Sequence, residues 1–166
     1  MAQFKELMNS LCCLMISVSV VGQTTNFSGK WKLKEQQSII GNLYENGVSK
    51  KMIIIQGNNN IRIEKSTLGK DNTDVITHEV FSFDGRSFES VTASKRKKSS
   101  KIKLDRARKS FVVISSLKNA IDSSKEDMKI VDTWTLNSEG NLILVRKNEN
   151  YLTGEVWESR SIYVKE

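Results

Sequence analysis

Lys51-Met52-Ile53-Ile54-Ile55, then Gly57-Asn58-Asn59-Asn60, then Ile61-Arg62-Ile63-Glu64, is the stretch that decides the fold. A β-branched run, a cluster of turn formers and a strictly alternating apolar-polar run make a β-hairpin signature. Alternation of period two buries one face of each strand and leaves the other to solvent.

The same grammar repeats outward from that hairpin. Val75 to Phe83, the tight-turn pair Asp84-Gly85 and Ser87 to Thr92 form a second pair of strands. Lys101 to Leu104 and Ser110 to Ser115 form a third, with Asp105 to Lys109 as its turn. Lys129 to Leu136, the turn Asn137 to Asn141 and Leu142 to Arg146 form a fourth. Asn148-Glu149-Asn150 turns the chain again, and Gly154 to Lys165 alternates to the end. With an opening strand near Lys30 to Lys34, the expected fold is all-β: an up-and-down antiparallel barrel of about eight to ten strands, whose closure removes exposed edges. The best helical segments are short, Glu35 to Tyr44 and Leu117 to Lys125.

The N-terminus reads differently. Met1 to Glu6 is polar with Lys5, Leu7 to Val21 is largely apolar, and small residues follow at Gly22. That order is the pattern of a secretory signal peptide over residues 1–22. The apolar run is shorter than the roughly 20 residues of a transmembrane span. A lipid anchor on Cys12 or Cys13 lacks the usual small residues before it. Residues 23–166 form the expected single barrel domain, secreted or periplasmic. Both cysteines lie in the leader, so the domain is expected to hold itself together by its core rather than by disulfides.

The chain carries a formal net charge of +7, which favours anionic partners. Export argues against nucleic acid. Lys95, Arg96, Lys97, Lys98, Lys101 and Lys103 make a basic surface patch suited to an anionic envelope surface, or to protecting a strand edge. His78 is the sole histidine, so a zinc site, which needs three or four ligands, is not expected. No nucleophile elbow, zincin helix or phosphate loop occurs; no catalytic residue, metal or cofactor is expected. Trp157 shares its strand face with Glu155, Ser159, Ser161 and Tyr163, a mixed face suited to a polar-lined cavity, and Trp134 shares its face with Ile130, Asp132 and Leu136.

Phe27-Ser28-Gly29-Lys30-Trp31-Lys32-Leu33 carries a resemblance. Phe-x-Gly-x-Trp-x-Leu before the first strand resembles the opening of lipocalin-like (calycin) barrels, which include lipocalins and fatty-acid-binding proteins. With Trp134-Thr135-Leu136 further on, the chain is also similar to small exported bacterial β-barrel proteins. The resemblance implies that Gly29 lets the chain bend into the barrel floor, that Trp31 plugs it and that Arg160 packs across Trp31. Arg160 and Tyr163 fall on opposite faces by alternation, so the fatty-acid carboxylate grip of that superfamily is not carried over. Two roles follow as expectations. The first is a monomeric, non-enzymatic barrel holding a small apolar or amphipathic ligand against the inward faces of Met52–Ile55, Val75–Phe83 and Glu155–Tyr163. The second is a structural or interaction protein of the cell envelope that works through its outer basic face.

Overall fold

The computed structural model describes residues 25–41, 48–69, 73–92, 95–105 and 109–166. The leader over residues 1–22 lies outside the described residues, as do Arg106 and Arg108 of the third expected turn.

Ten strands follow one another in the chain: β1 (Gly29–Ile40), β2 (Lys51–Gln56), β3 (Asn60–Leu68), β4 (Asp74–Ser82), β5 (Phe88–Val91), β6 (Lys97–Asp105), β7 (Ser110–Lys118), β8 (Glu126–Leu136), β9 (Leu142–Asn150) and β10 (Val156–Lys165). They form one antiparallel sheet in the order β4-β3-β2-β1-β10-β9-β8-β7-β6-β5. Sequence neighbours pair except β4 and β5, which are the two ends of the sheet, and β1 pairs with β10. The result is a nearly closed up-and-down barrel, as the alternation predicts.

The turns follow their chemistry. Gly85 and Gly140 adopt positive φ, and the Asn137 side chain accepts from the amides of Glu139 and Asn141 at 3.1 and 2.8 Å.

Both helical expectations are overturned over the described residues; Asn42 to Tyr44 of the first lie outside them. Glu35 to Ile40 continues β1 as strand, paired with β10 from Glu35↔Ile162 to Ile40↔Glu158. Its polar residues favour a helix only weakly, and the free edge of β10 supplies the ladder partners that decide the matter. Leu117 and Lys118 end β7, and the segment to Lys125 is a turn tied by Asn119 and Asp122 side chains.

One end of the barrel is sealed by aromatic and aliphatic side chains: Phe27, Trp31, Phe81, Phe111, Trp134, Leu142 and Tyr163 are all buried. Phe111 lies edge-on to Phe27 at 4.8 Å and stacks on Trp134 at 5.5 Å. Each such side chain contributes roughly 1.5–3 kcal/mol of burial. Gln56 stitches the entering chain beneath the floor: its side chain accepts from the Phe27 amide at 3.0 Å and donates to the Thr25 carbonyl at 3.1 Å.

The opposite end is the rim. There Gly41, at φ 74°, packs so closely that an added Cβ would stand 3.1 Å from the Trp157 Cβ.

Candidate functional site: the barrel interior

Above the floor the inward positions change character. Ile61 and Ile63 on β3 are buried, and the next inward residue is Lys65. On β4, Phe81 is preceded inward by Glu79. On β6, Ser100 and Ile102 are buried and the next inward residue towards the rim is Lys98. On β8, Trp134 is preceded inward by Asp132, whose ladder partner on β9 is Arg146. A polar belt therefore runs along the interior of β3, β4, β6, β8 and β9, one step above the aromatics.

The belt is ion-paired. Glu79 accepts from Lys65 at 2.5 Å and from Lys98 at 2.6 Å. Burial opposes the charge on Glu79, but the two ammoniums outweigh it and hold its carboxyl at about 2. Arg146 grips Asp132 with two prongs, each 2.7 Å long. Burial likewise opposes the Asp132 charge, and the Arg146 guanidinium overcomes it and lowers the carboxyl below its ordinary value. Lys65 also lies over the Trp134 ring, 5.8 Å from its centre. Ser100 and Ser115 share a buried hydroxyl contact at 2.8 Å.

Among the described residues this belt sets three cations (Lys65, Lys98 and Arg146) against two carboxylates (Glu79 and Asp132). Two donors beside it are poorly matched. Among the described residues the Trp134 indole N–H is buried without a hydrogen-bond partner, and the Tyr163 hydroxyl has only a weak contact with the Ser161 side chain. Buried polar groups are nearly always paired, so two such donors in one interior call for an explanation. Both are donors, the indole exclusively so. Burial pushes the Tyr163 phenol well above its ordinary value, so the hydroxyl keeps its proton.

The residues singled out from sequence fall into three groups. Trp134 and Tyr163 both face the interior, on strands either side of β9 and one step along the barrel from each other: Trp134 is level with Leu144 and Ser161, and Tyr163 with Leu142 and Leu136. Trp157 and Ser159 face inward nearer the rim and are half-buried, so solvent reaches that part of the interior. Glu155 is not part of the wall. It precedes β10 in the turn that contains Gly154, is exposed and accepts from the Thr153 hydroxyl at 3.2 Å.

At the floor, Gly29 opens β1 and Trp31 is buried, with its indole donating to the Phe27 carbonyl at 3.1 Å. Arg160 does not pack across Trp31. Its partner on β1 is Gln37, whereas Lys165 is the direct partner of Trp31 and places its ammonium 5.7 Å from the ring centre. The basic patch divides. Lys95, Lys97, Lys101 and Lys103 are exposed. Arg96 instead pairs with the buried Asp127 and donates to the Lys118 carbonyl at 3.0 Å. Lys98 turns inward to Glu79. His78 lies on the outer face of β4, 3.4 Å from Glu64, and is largely exposed. Among the described residues no three His, Cys, Asp or Glu side chains cluster to hold a metal.

No protein-family model matches the chain, and no curated protein matches it. Its backbone is similar to that of a single-substitution mutant of the fluorescent protein UnaG. The TM-score is 0.50 at 15% identity, over 84% of this chain and 95% of that one. The fold is a calycin-like antiparallel β-barrel. At this identity the likeness concerns architecture alone. Lys65, Glu79, Lys98, Asp132 and Arg146 are read as site residues from the interior of this chain.

Proposed function

We propose that the protein is a non-enzymatic carrier whose barrel receives a small apolar or amphipathic molecule. Its acceptor-bearing end would face Trp134 and Tyr163 beside the belt, and its apolar part would rest on apolar side chains of the wall such as Leu33 and Met52. The observation that supports this most directly is the pair of buried, poorly matched donors. An unmatched buried donor costs about 1–3 kcal/mol, which a ligand carbonyl or carboxylate would recover. The surplus of one cation in the belt favours an anionic acceptor over a neutral one. Export, directed by residues 1–22, belongs to the same reading and places the carrier outside the cytoplasm, in a bacterial setting.

A second reading is supported by Lys95, Lys97, Lys101 and Lys103, which project from one exposed strand and its turn. In it the barrel contacts an anionic envelope surface.

Two measurements separate the readings. Native mass spectrometry of protein purified without denaturation, with titration by the anionic fluorophore 1-anilinonaphthalene-8-sulfonate, tests the carrier. One bound molecule per chain and saturable fluorescence are expected; an empty barrel that never saturates ends that reading. Sedimentation with phosphatidylglycerol vesicles tests the second, which requires salt-sensitive binding that is lost when the four exposed lysines become glutamine.

A further inference from the structure

A separate site lies in the barrel wall, where β1 and β2 part. Their ladder ends at Lys32↔Lys51, with one more backbone bond from the Leu33 amide to the Lys50 carbonyl at 2.9 Å. Beyond it β1 runs on along β10, through an irregularity between Leu33 and Glu35 that sets Lys34 outside the register. The divergence leaves a hollow of about 450 Å³ lined by the segment from Lys32 to Gln36, Leu33 included, and by Lys50 and Lys51.

Four lysines and one carboxylate line this hollow, and all five are exposed. Among the described residues none of the four lysines forms an ion pair. Lys32 and Lys51 stand directly opposite each other in the ladder. Like charges at directly opposed positions of an antiparallel pair destabilise it, so the arrangement carries an electrostatic cost, and Glu35 is the one carboxylate in the hollow to set against it. The size of the hollow lies within the range of small-molecule sites.

We propose that this hollow binds a compact polyanion carrying two or more phosphate groups. Lysine ammoniums are point charges with three rotatable donors, suited to phosphate oxygens. Four around one hollow match several phosphates better than a single carboxylate. The site is independent of whatever the interior holds, and its failure would leave the carrier reading untouched.

The test is calorimetric titration of the full domain with tripolyphosphate at low ionic strength, beside sedimentation with vesicles containing phosphatidylinositol bisphosphate. Saturable one-to-one binding is expected in at least one arm. Binding of tripolyphosphate alone assigns a free ligand, and binding of the vesicles assigns a lipid headgroup. Lys32→Gln with Lys51→Gln should weaken that binding by roughly tenfold or more. Lys101→Gln with Lys103→Gln, which removes equal charge from another strand, should leave it within about twofold. Without polyanion the first pair should melt no lower than the parent, because it relieves the opposed charges. Absence of saturable binding in both arms overturns the proposal, and so does an equal loss in the two double variants.

Discussion

Glu79 on β4 and Lys98 on β6 meet at 2.6 Å across the seam where the barrel's ladder is interrupted. Phe81 and Phe88 pack edge-on across the same seam at 5.6 Å. The two ends of the sheet are thus joined by an aromatic contact near the floor and an ionic contact above it, in place of backbone hydrogen bonds. Glu79→Gln removes the charge and leaves Lys65 and Lys98 without their carboxylate. Breaking a buried pair from one side costs about 3–5 kcal/mol. Urea unfolding should show a loss of that order, and amide exchange should rise first in β4 and β5. An unchanged exchange pattern in those strands would show that the seam does not depend on the ionic contact.

The same carboxylate gives the fold its acid limit. Its carboxyl titrates at about 2 when folded, against 4.5 for a free glutamate. A depressed pKa contributes stability that is fully present above the unfolded value and is lost as pH falls through the folded one. Stability should therefore decline between about pH 4.5 and 2, by about 3 kcal/mol from Glu79, with Asp132 adding in the same direction. Denaturant midpoints measured across that window test this. In Glu79→Gln the slope should be shallower, and a slope identical to the parent's contradicts the assignment.

The sequence is informative about the strands because the alternation that makes them is local. Ile61-x-Ile63, Ile102-x-Leu104 and Phe81-x-Phe83 each declare an inward face without reference to the rest of the chain. The belt is harder to read, although its signal is present. Lys65 continues the inward positions of Ile61 and Ile63, and Lys98 continues those of Ser100 and Ile102. A lysine on an inward register calls for a buried partner, but the partner sits on another strand, and only the curvature of the sheet brings Glu79 to both. Lys98 in particular reads as one more cation in a basic run until the phase of its strand is followed back from Ile102. Glu35 to Ile40 fails for the opposite reason. Its irregularities against β10 break the period, so the strand's own residues do not announce it.

Gly29, Lys165 and Trp31 form a unit at the floor. An added Cβ on Gly29 would stand 2.8 Å from the Lys165 Cε, whose ammonium lies over Trp31. Gly29→Ala must therefore displace Lys165, and it also strains a φ of 156° that residues with side chains rarely adopt. Lys165→Met should cost about 0.5–1 kcal/mol by removing the cation over the ring. Gly29→Ala should cost more, and the double variant less than the sum of the two, because the cation contact is lost only once. Strict additivity of the three thermal denaturation measurements would show that Lys165 gains nothing from Trp31.

Tyr163→Phe separates the two sides of the carrier reading. Among the described residues the Tyr163 hydroxyl is buried with only a weak contact to the Ser161 side chain, so in the empty barrel it is a polar group taken from water for little return. Deleting it leaves the ring on the floor and removes that penalty. The empty variant should be about 1 kcal/mol more stable than the parent, unlike most changes at a buried position. Ligand binding should move the other way, because an acceptor placed against the hydroxyl loses its donor; about tenfold weaker binding of an anionic amphiphile is expected. Phe at this position thus raises stability and lowers affinity, a combination that a merely structural tyrosine does not produce. If the variant is less stable and binds as before, the hydroxyl is satisfied by ordered water and the ligand's polar end lies elsewhere along the belt.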